Sequence, residues 1–262
     1  MNLTKRQATE RAIYDKMGAG ESNRMSERKG DLFIDPKRIP FPGRIHTRIL
    51  TLAFSKMGDL KSKKVLELGG GSGELSVYLA KQGAQVTYVD LSESFARLAR
   101  LRAQKNGVED RIKFLVAPVE SLNFEEEFDF VFCNQVLHHL ELRDAVKRIY
   151  KALKKGGRGI FCESVQLSPI FKAFRRSPLV TMLFPVARHT PTEEQLSNED
   201  LEVLQKPFKK ANLEGFQLLA RAERFIPMGD SVFLAVESVD KYLLKLPILN
   251  KMPRFMLIEL FK

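Results

Sequence analysis

Short apolar runs recur along the middle of the chain, and each is followed by a segment with apolar residues at helical spacing. Runs of this length that end in glycine or polar residues are typical of buried strands. The alternation of strand and helix predicts an α/β fold with a parallel sheet and right-handed crossovers. Five runs predict strands, at residues 64–68, 85–89, 112–116, 128–134 and 159–163.

The segments between the runs carry signals for helix boundaries. Ser92 precedes an apolar-periodic segment and predicts the N-cap of a helix that ends before Gly107. Residues 72–82 and 142–153 predict two further helices, and each is closed by glycine.

The regular alternation ends after residue 164. Residues 165–210 contain four prolines and predict an inserted lid over the binding edge of the sheet, with a helical stretch from 198 to about 211. Residues 216–224 and 231–237 predict a closing antiparallel pair of strands. The expected organisation is a helical cap, an α/β core, the lid, the last strands and an amphipathic tail, at 1–58, 59–164, 165–210, 211–238 and 239–262.

Composition places the chain among soluble globular proteins, with 44% apolar and 29% charged residues. Cys133 and Cys162 each lie in an apolar run, so we interpret them as buried thiols in a reducing compartment. The longest nearly apolar window, residues 177–187, has 11 residues, whereas a membrane span needs ~20. The charged N-terminus does not resemble a secretory signal, so a cytoplasmic location is expected.

The net charge of +11 is unevenly distributed. Residues 65–140 carry −4, whereas residues 1–64 carry +8 and residues 141–262 carry +7. An acidic middle with basic flanks favours a cationic ligand at the centre and an anionic surface at the periphery. A simply solvated surface accounts for the basic flanks equally well.

A glycine-rich loop follows the first strand, in the sequence Val-Leu-Glu-Leu-Gly-Gly-Gly-Ser-Gly-Glu from residue 65 to 74. Glycine permits a sharp turn and a close approach of backbone to ligand. A dinucleotide fingerprint would need a third glycine where Glu74 stands. Glu67, just before the loop, would repel a pyrophosphate and would suit a ligand with an amino group, which disfavours a nicotinamide oxidoreductase.

The loop and an acid after it resemble the class I S-adenosylmethionine-dependent methyltransferases. Asp90 ends the second strand, 17 residues after Gly73, where an acid of this family accepts both ribose hydroxyls. The segments 114–122, 128–140 and 153–157 resemble further motifs of the family, although Pro118 stands where members often have an adenine-binding Asp.

The resemblance implies a Rossmann-like sheet of seven strands with helices on both faces, a cap, an inserted lid, and S-adenosylmethionine as cofactor, with S-adenosylhomocysteine as product. Tyr14, with Asp15, resembles a pair that covers the cofactor; an ordinary amphipathic helix is the alternative. The expected cofactor-binding residues are Tyr14, Glu67, Gly69, Gly70, Gly71, Gly73, Asp90, Leu91, Val119, Glu120 and Asn134.

His138 and His139 follow the fourth strand, at the edge where the methyl group would lie. Histidine is the usual base near neutral pH, and a hydroxyl acceptor would need one. We therefore predict His139, and after it His138, as catalytic; packing at a helix start is the alternative. His189, Glu163 and His46 are further candidates.

The same sequence narrows the acceptor to a small or lipid-linked molecule. Asn134 is followed by Gln-Val-Leu rather than by the Pro-Pro-aromatic motif of enzymes that methylate nucleic-acid bases. The basic residues are also not interleaved with aromatic residues that could stack on bases, so a nucleic-acid acceptor is not expected. No carboxylate cluster for a metal is evident. A non-catalytic protein that binds S-adenosylmethionine is the alternative function.

Apolar residues alternate with Lys and Arg in residues 170–188 of the expected lid. Such a surface suits an anionic, acyl or prenyl substrate or peripheral membrane contact. The alternative is that these residues pack the lid onto the sheet.

Overall fold

The computed structural model of the protein describes residues 3–27, 32–40, 44–168, 195–224 and 226–262. The described residues form one seven-stranded sheet with helices on both faces, so the expected α/β fold is confirmed. Its strands are β1 (Lys64–Leu68), β2 (Gln85–Asp90), β3 (Ile112–Val116), β4 (Phe128–Asn134), β5 (Leu153–Ser164), β6 (Lys210–Phe216) and β7 (Phe255–Phe261).

Seven helices lie among the described residues. Two occupy the N-terminal segment that was expected to be helical, and the others connect strands. They are α1 (Lys5–Glu27), α2 (Arg44–Met57), α3 (Glu74–Lys81), α4 (Glu93–Lys105), α5 (Leu142–Ala152), α6 (Asn198–Gln205) and α7 (Asp230–Leu243).

The strand order in the sheet is β3-β2-β1-β4-β5-β7-β6. Strands β1 to β5 are parallel to one another, and β7 is antiparallel to both β5 and β6. The carboxyl ends of β1, β2 and β4 therefore meet at one edge, where ligands bind in open sheets of this kind.

Two apolar cores hold the layers together. Helices α2, α3, α4 and α7 contribute buried residues to one face of the sheet, and α5 and α6 contribute to the other. Central strand β4 is buried along nearly all of its length, as its continuously apolar sequence predicts for a strand covered on both faces.

Local signals explain the boundaries of α4. The Ser92 side chain accepts a hydrogen bond from the Phe95 backbone N–H at 3.2 Å, which satisfies an otherwise unpaired donor of the first turn. Gly107 follows the helix with φ of +66°, a conformation that glycine adopts without a Cβ penalty.

The prediction for the last strands was wrong in position. Strand β6 ends at Phe216, where the first predicted strand begins, and Ala220–Arg224 is a short 3-10 helix. Residues 231–237 lie in α7. Its buried residues Phe233 and Glu237 are four residues apart, which is the spacing of a helix face and not of a strand. A short apolar run does not distinguish these two structures by itself.

The expected tail also needs correction. Residues 255–261 form β7, which lies between β5 and β6 and is buried through Leu260. Helix α6 ends at Gln205, earlier than predicted. The proline-containing part of the expected lid, residues 169–194, lies outside the described residues.

Candidate cofactor and active site

A cavity of about 250 Å³ opens at the carboxyl edge of the sheet. The glycine loop after β1, the ends of β2 and β4, and the N-terminal helix α1 surround it. Of the residues predicted from the sequence, Tyr14, Gly69, Gly71, Asp90, Leu91, Val119, Glu120, Asn134 and His139 line the cavity.

The loop shape requires glycine at the turn out of β1. Gly69 has φ of +62°, and a Cβ there would lie 2.4 Å from a methyl carbon of Val136. Gly71 has φ of +52° and open space where a Cβ would stand, so its backbone faces the cavity directly. Gly70 and Gly73 do not line the cavity; they shape the loop behind it.

Asp90 lies at the base of the cavity and is held by the backbone. Its Oδ2 accepts a hydrogen bond from Gly71 N–H, and its Oδ1 accepts one from Ser92 N–H, both at 2.8 Å. Burial raises the pKa of Asp90, although these two hydrogen bonds oppose that rise. Each carboxylate oxygen retains acceptor capacity, so the pair matches a vicinal diol.

Glu67 lies behind the loop rather than on the cavity wall. It is 3% exposed and accepts a hydrogen bond from the hydroxyl of Ser76 in α3. Burial, with smaller contributions from the nearby Glu74 and Asp90, raises the pKa of Glu67 to about 8, although the hydrogen bond from Ser76 opposes the rise. Its assignment to the amino-acid end of a cofactor stays a prediction.

A buried arginine supports the loop from the other side, and sequence analysis did not find it. Arg102 of α4 is fully buried and pairs with Glu74 at 2.9 Å, while it also donates to the Ser72 carbonyl. The signal that could have found it is its spacing, because Arg102 follows Leu98 and Ala99 on the apolar face of α4. Its burial depends on how α3 and α4 pack together.

Glu120 joins the cavity wall to α1. Its Oε2 accepts a hydrogen bond from the Gln7 side chain at 3.1 Å, and its Oε1 accepts one from Glu141 N–H at 2.8 Å. The neighbouring Val119 and Leu91 offer apolar surface on the same wall. This side of the cavity suits a flat ring that needs few polar contacts.

Asn134, the last residue of β4, carries an unsatisfied acceptor. Its side-chain Oδ1 is buried and has no hydrogen-bond partner among the described residues. Asn134 also lines the cavity. Because an unpaired buried acceptor costs about 1–3 kcal/mol, this atom favours a ligand that brings a donor group.

Helix α1 places Tyr14 and Glu10 around His139. The Tyr14 hydroxyl lies 3.0 Å from His139 Nε2, and Glu10 Oε1 lies 3.5 Å from His139 Nδ1. A carboxylate at this distance stabilises the imidazolium that forms when the ring takes up a proton. Sequence analysis missed Glu10 and Gln7, although their spacing from Tyr14 puts all three on one face of a helix.

His138 has a different environment from that of its neighbour. Its Nδ1 lies 2.7 Å from Glu163 Oε2, and both side chains are buried. Glu163 Oε1 also accepts the backbone N–H groups of Val136 and Leu137, each at 2.8 Å. This pair orders the turn after β4, and His138 does not line the cavity. Its catalytic assignment stays a prediction.

The two remaining histidine candidates do not join the described cavity wall. His46 of α2 is packed edge-on against Phe255, with ring centroids 4.8 Å apart, and burial and the neighbouring Arg254 lower its pKa to about 4. His189 lies outside the described residues.

The cavity wall is acidic. Glu10, Asp90 and Glu120 contribute carboxyl groups, and no Lys or Arg is found among the described residues that line it. This arrangement favours a cationic ligand over a pyrophosphate, in agreement with the negative charge of the middle of the sequence. Within the described ranges, no three His, Cys, Asp or Glu residues converge as a metal site.

Residues 66–161 match the family model of the methyltransferase domain. This segment, with its glycine loop and its place in the seven-stranded sheet, is therefore similar to a methyltransferase domain, in agreement with the resemblance found in the sequence. The matched segment begins in β1 and ends in β5, and so contains the loop, Asp90 and both histidines.

Among curated proteins, the chain is similar to the ubiquinone biosynthesis O-methyltransferase of Bordetella parapertussis. The two are 38% identical over 114 residues, which is 43% of this chain and 46% of the relative. The enzyme of the same name from Stutzerimonas stutzeri is 33% identical over 133 residues, 50% of this chain and 57% of the relative. The match thus spans about half the length of these relatives.

Solved structures share the fold over a longer stretch. The geranyl diphosphate C-methyltransferase from Streptomyces coelicolor, solved with S-adenosyl-L-homocysteine, covers all of this chain and 98% of its own, with a TM-score of 0.60 and 13% identity. The [4+2]-cyclase SpnF covers 82% of this chain and 80% of its own, with a TM-score of 0.56 and 18% identity. At these identities the likeness shows the fold alone.

Proposed function

We propose that this protein transfers a methyl group from S-adenosylmethionine to a small, apolar or lipid-linked acceptor. The observation that carries the proposal is the acidic cavity between the glycine loop, Asp90 and α1. The curated relatives, whose names describe O-methyltransferases of ubiquinone biosynthesis, support an acceptor with a hydroxyl group.

The residues of the cavity fit such a cofactor. Asp90 offers two oxygens to a ribose diol, and the Asn134 amide oxygen lacks a donor that an ammonium group would supply. Val119 and Leu91 provide an apolar wall for a base. The cofactor would bring the activated methyl group, so the protein mainly has to position the acceptor and exclude water.

We assign the proton transfer to His139. A hydroxyl acceptor would give its proton to His139 Nε2 as its oxygen bonds to the methyl carbon, while the bond from that carbon to sulfur breaks and S-adenosylhomocysteine leaves. Glu10 would stabilise the protonated ring at Nδ1. The Tyr14 hydroxyl holds Nε2 in place before the acceptor arrives. In this assignment Tyr14 and Glu10 are positioning residues on the helix that covers the cavity.

Titration calorimetry tests the cofactor. S-adenosylmethionine and S-adenosylhomocysteine should each bind at one site per chain, whereas NADH should not bind. NADH binding without methyl-donor binding would refute the proposal. Release of S-adenosylhomocysteine in the presence of phenols or prenylated phenols then distinguishes a methyltransferase from a binding protein. The distinction is needed because SpnF, which is named as a cyclase, has a similar fold.

We also propose a cytoplasmic location with peripheral membrane contact. The two buried free thiols, Cys133 and Cys162, support a reducing compartment. Across the part of the chain that the structure describes, no helix has the length and apolar character needed to cross a bilayer. An anionic group on the acceptor remains part of the proposal, based on the basic residues of the expected lid.

A further inference from the structure

Helix α7 carries its apolar and acidic residues on unexpected faces. The stripe that packs against the protein contains Phe233, Glu237, Asp240 and Leu244, which are all buried. The opposite stripe, spaced by three and four residues, contains exposed Val232, Ala235, Val239, Tyr242 and Leu246. The helix is therefore apolar toward solvent and carries its acids inside.

The buried acids are accounted for by contacts within the protein. Asp240 accepts the backbone N–H groups of Leu218, Leu219 and Ala220, at 2.7 to 3.0 Å. Glu237 pairs with Arg48 of α2. These contacts fix the rotation of α7 about its axis, so its exposed apolar face is not free to turn inward.

The exposed apolar surface continues beyond the end of the helix. Val232, Val239, Tyr242, Leu246 and Ile248 are each between 49% and 77% exposed. We call these five residues the outer stripe. Contiguous exposed apolar surface of this kind marks an interaction site rather than ordinary surface variation.

The exposed charges between residues 231 and 251 are all positive, and the exposed Asp230 just before them is paired with Arg44 at 2.7 Å. Lys241, Lys245 and Lys251 are exposed, whereas the acids between residues 231 and 251 are Glu237 and Asp240, which are buried. Apolar side chains flanked by lysines, with no exposed acid between them, complement the anionic headgroups and acyl boundary of a bilayer.

The position of α7 relates this surface to the cavity. Ser164 at the end of β5 lies opposite Phe255 at the start of β7, and Phe255 also lies opposite Phe216 at the end of β6. The segment that connects β6 to β7, which contains α7, therefore begins and ends at the edge of the sheet where β5 ends. The cavity opens at the same edge.

We propose that the outer stripe and its three lysines dock the protein on an anionic lipid surface. The acceptor edge of the sheet then lies beside the bilayer, where a lipid-linked acceptor is dissolved. The role of this position in reaching a lipid-linked acceptor rests on the proposed methyl transfer, whereas the docking itself does not.

Vesicle co-sedimentation tests the docking. The protein should sediment with vesicles of phosphatidylglycerol and phosphatidylcholine at low salt, and less with phosphatidylcholine alone. Replacing Lys241, Lys245 and Lys251 together with glutamine should lower the partition coefficient roughly a hundredfold, since each lysine near an anionic surface contributes about fivefold. The matched control in α4, Leu101→Ser with Lys105→Gln, should bind as the unmodified chain does; both residues are exposed there.

The absence of tryptophan from the chain permits a direct readout. A Tyr242→Trp variant should show a blue-shifted emission on anionic vesicles and quenching by brominated acyl chains. A Leu101→Trp variant should show neither. These signals require insertion of the outer stripe, so a nonspecific attraction of the whole basic chain would not produce them.

Three results would overturn the docking proposal: no sedimentation with anionic vesicles at low salt, equal losses in the α4 control, or an unshifted emission from the Tyr242→Trp variant. A dimer in solution that Val239→Ser and Leu246→Ser disperse, without vesicle binding, would assign the outer stripe to a second copy instead. Cofactor binding by calorimetry is measured on each variant, so a failure of docking is distinguished from a failure of the proposed methyl transfer and from misfolding.

Discussion

A Glu67→Gln substitution should stabilise the protein, and more so as the pH rises. Glu67 is buried, and its pKa is raised to about 8 from an ordinary value of 4.5. The folded chain therefore keeps a proton that the unfolded chain loses, and the free energy of unfolding falls between pH 4.5 and about pH 8. Glutamine can still accept the hydrogen bond from Ser76 and carries no charge at any pH.

The two pKa values set the size of the effect. Their difference corresponds to roughly 5 kcal/mol at pH 8 and above, and to almost nothing at pH 4.5. Relaxation of the protein around the buried charge lowers the cost of ionising Glu67. An increase of about 2–5 kcal/mol at pH 8 is the expected result.

Urea denaturation from pH 4.5 to pH 8.5 measures the difference between the two proteins. A Glu127→Gln variant, changed at an exposed carboxylate, is the matched control and should follow the unmodified chain. A stability difference that does not vary with pH would refute the buried, protonated state of Glu67. A destabilised variant at pH 8 would show that the carboxylate is ionised and favourably held.

The same variant tests the role of Glu67 toward the cofactor. If Glu67 only supports the loop from behind, Glu67→Gln should leave the affinity for S-adenosylmethionine within about threefold. If its charge contacts the amino end of the cofactor, the affinity should fall at least tenfold, the loss of about 1.4 kcal/mol from a charge-assisted hydrogen bond. Calorimetry on the folded variant separates the two outcomes.

Asp90→Ala should weaken S-adenosylmethionine binding by about 1–3 kcal/mol in calorimetry, whereas the exposed Asp110→Ala should not; equal affinities would refute the ribose assignment. His139→Ala should lower turnover by ~10²–10⁴ with little change in cofactor affinity, and retained turnover would reassign the ring to packing. Arg102→Met should lower the free energy of unfolding by about 3 kcal/mol, because Glu74 loses its partner, while Arg97→Met at an exposed position should change it by less than about 0.5 kcal/mol in urea titrations.

The first five strands could be predicted because each carries its own signal. β4 is apolar along nearly its whole length, and a strand buried on both faces needs no partner to be recognised. Ser92 likewise marks the start of α4 through a local hydrogen bond. Both the glycine loop and Asp90 could be found in this way, because their spacing is set within one strand-turn-helix-strand unit, from β1 through α3 to β2.

The closing part of the sheet could not be predicted by the same reasoning. β7 lies between β5 and β6, so its place depends on pairing with strands about 100 and 45 residues earlier in the chain. α7 was mistaken for a strand because its inner stripe contains acids and its outer stripe is apolar, so the pattern of a surface helix is absent. The partners of those acids are distant in sequence: Arg48 lies in α2, and the backbone N–H groups of residues 218–220 lie about 20 residues before Asp240.

The two histidines show where sequence reasoning about a site reaches its limit. His138 and His139 are adjacent, both follow β4, and both are candidates for the same proton transfer. The short helix at Leu137–His139 directs one ring toward Glu163 and the other toward Tyr14. Glu163 lies on β5, which no spacing rule connects to the turn, and Tyr14 lies on a helix more than 100 residues earlier. The distinction between an ordering histidine and a cavity histidine is therefore made by tertiary packing, and it is the α1 cap that gives His139 its position at the cavity.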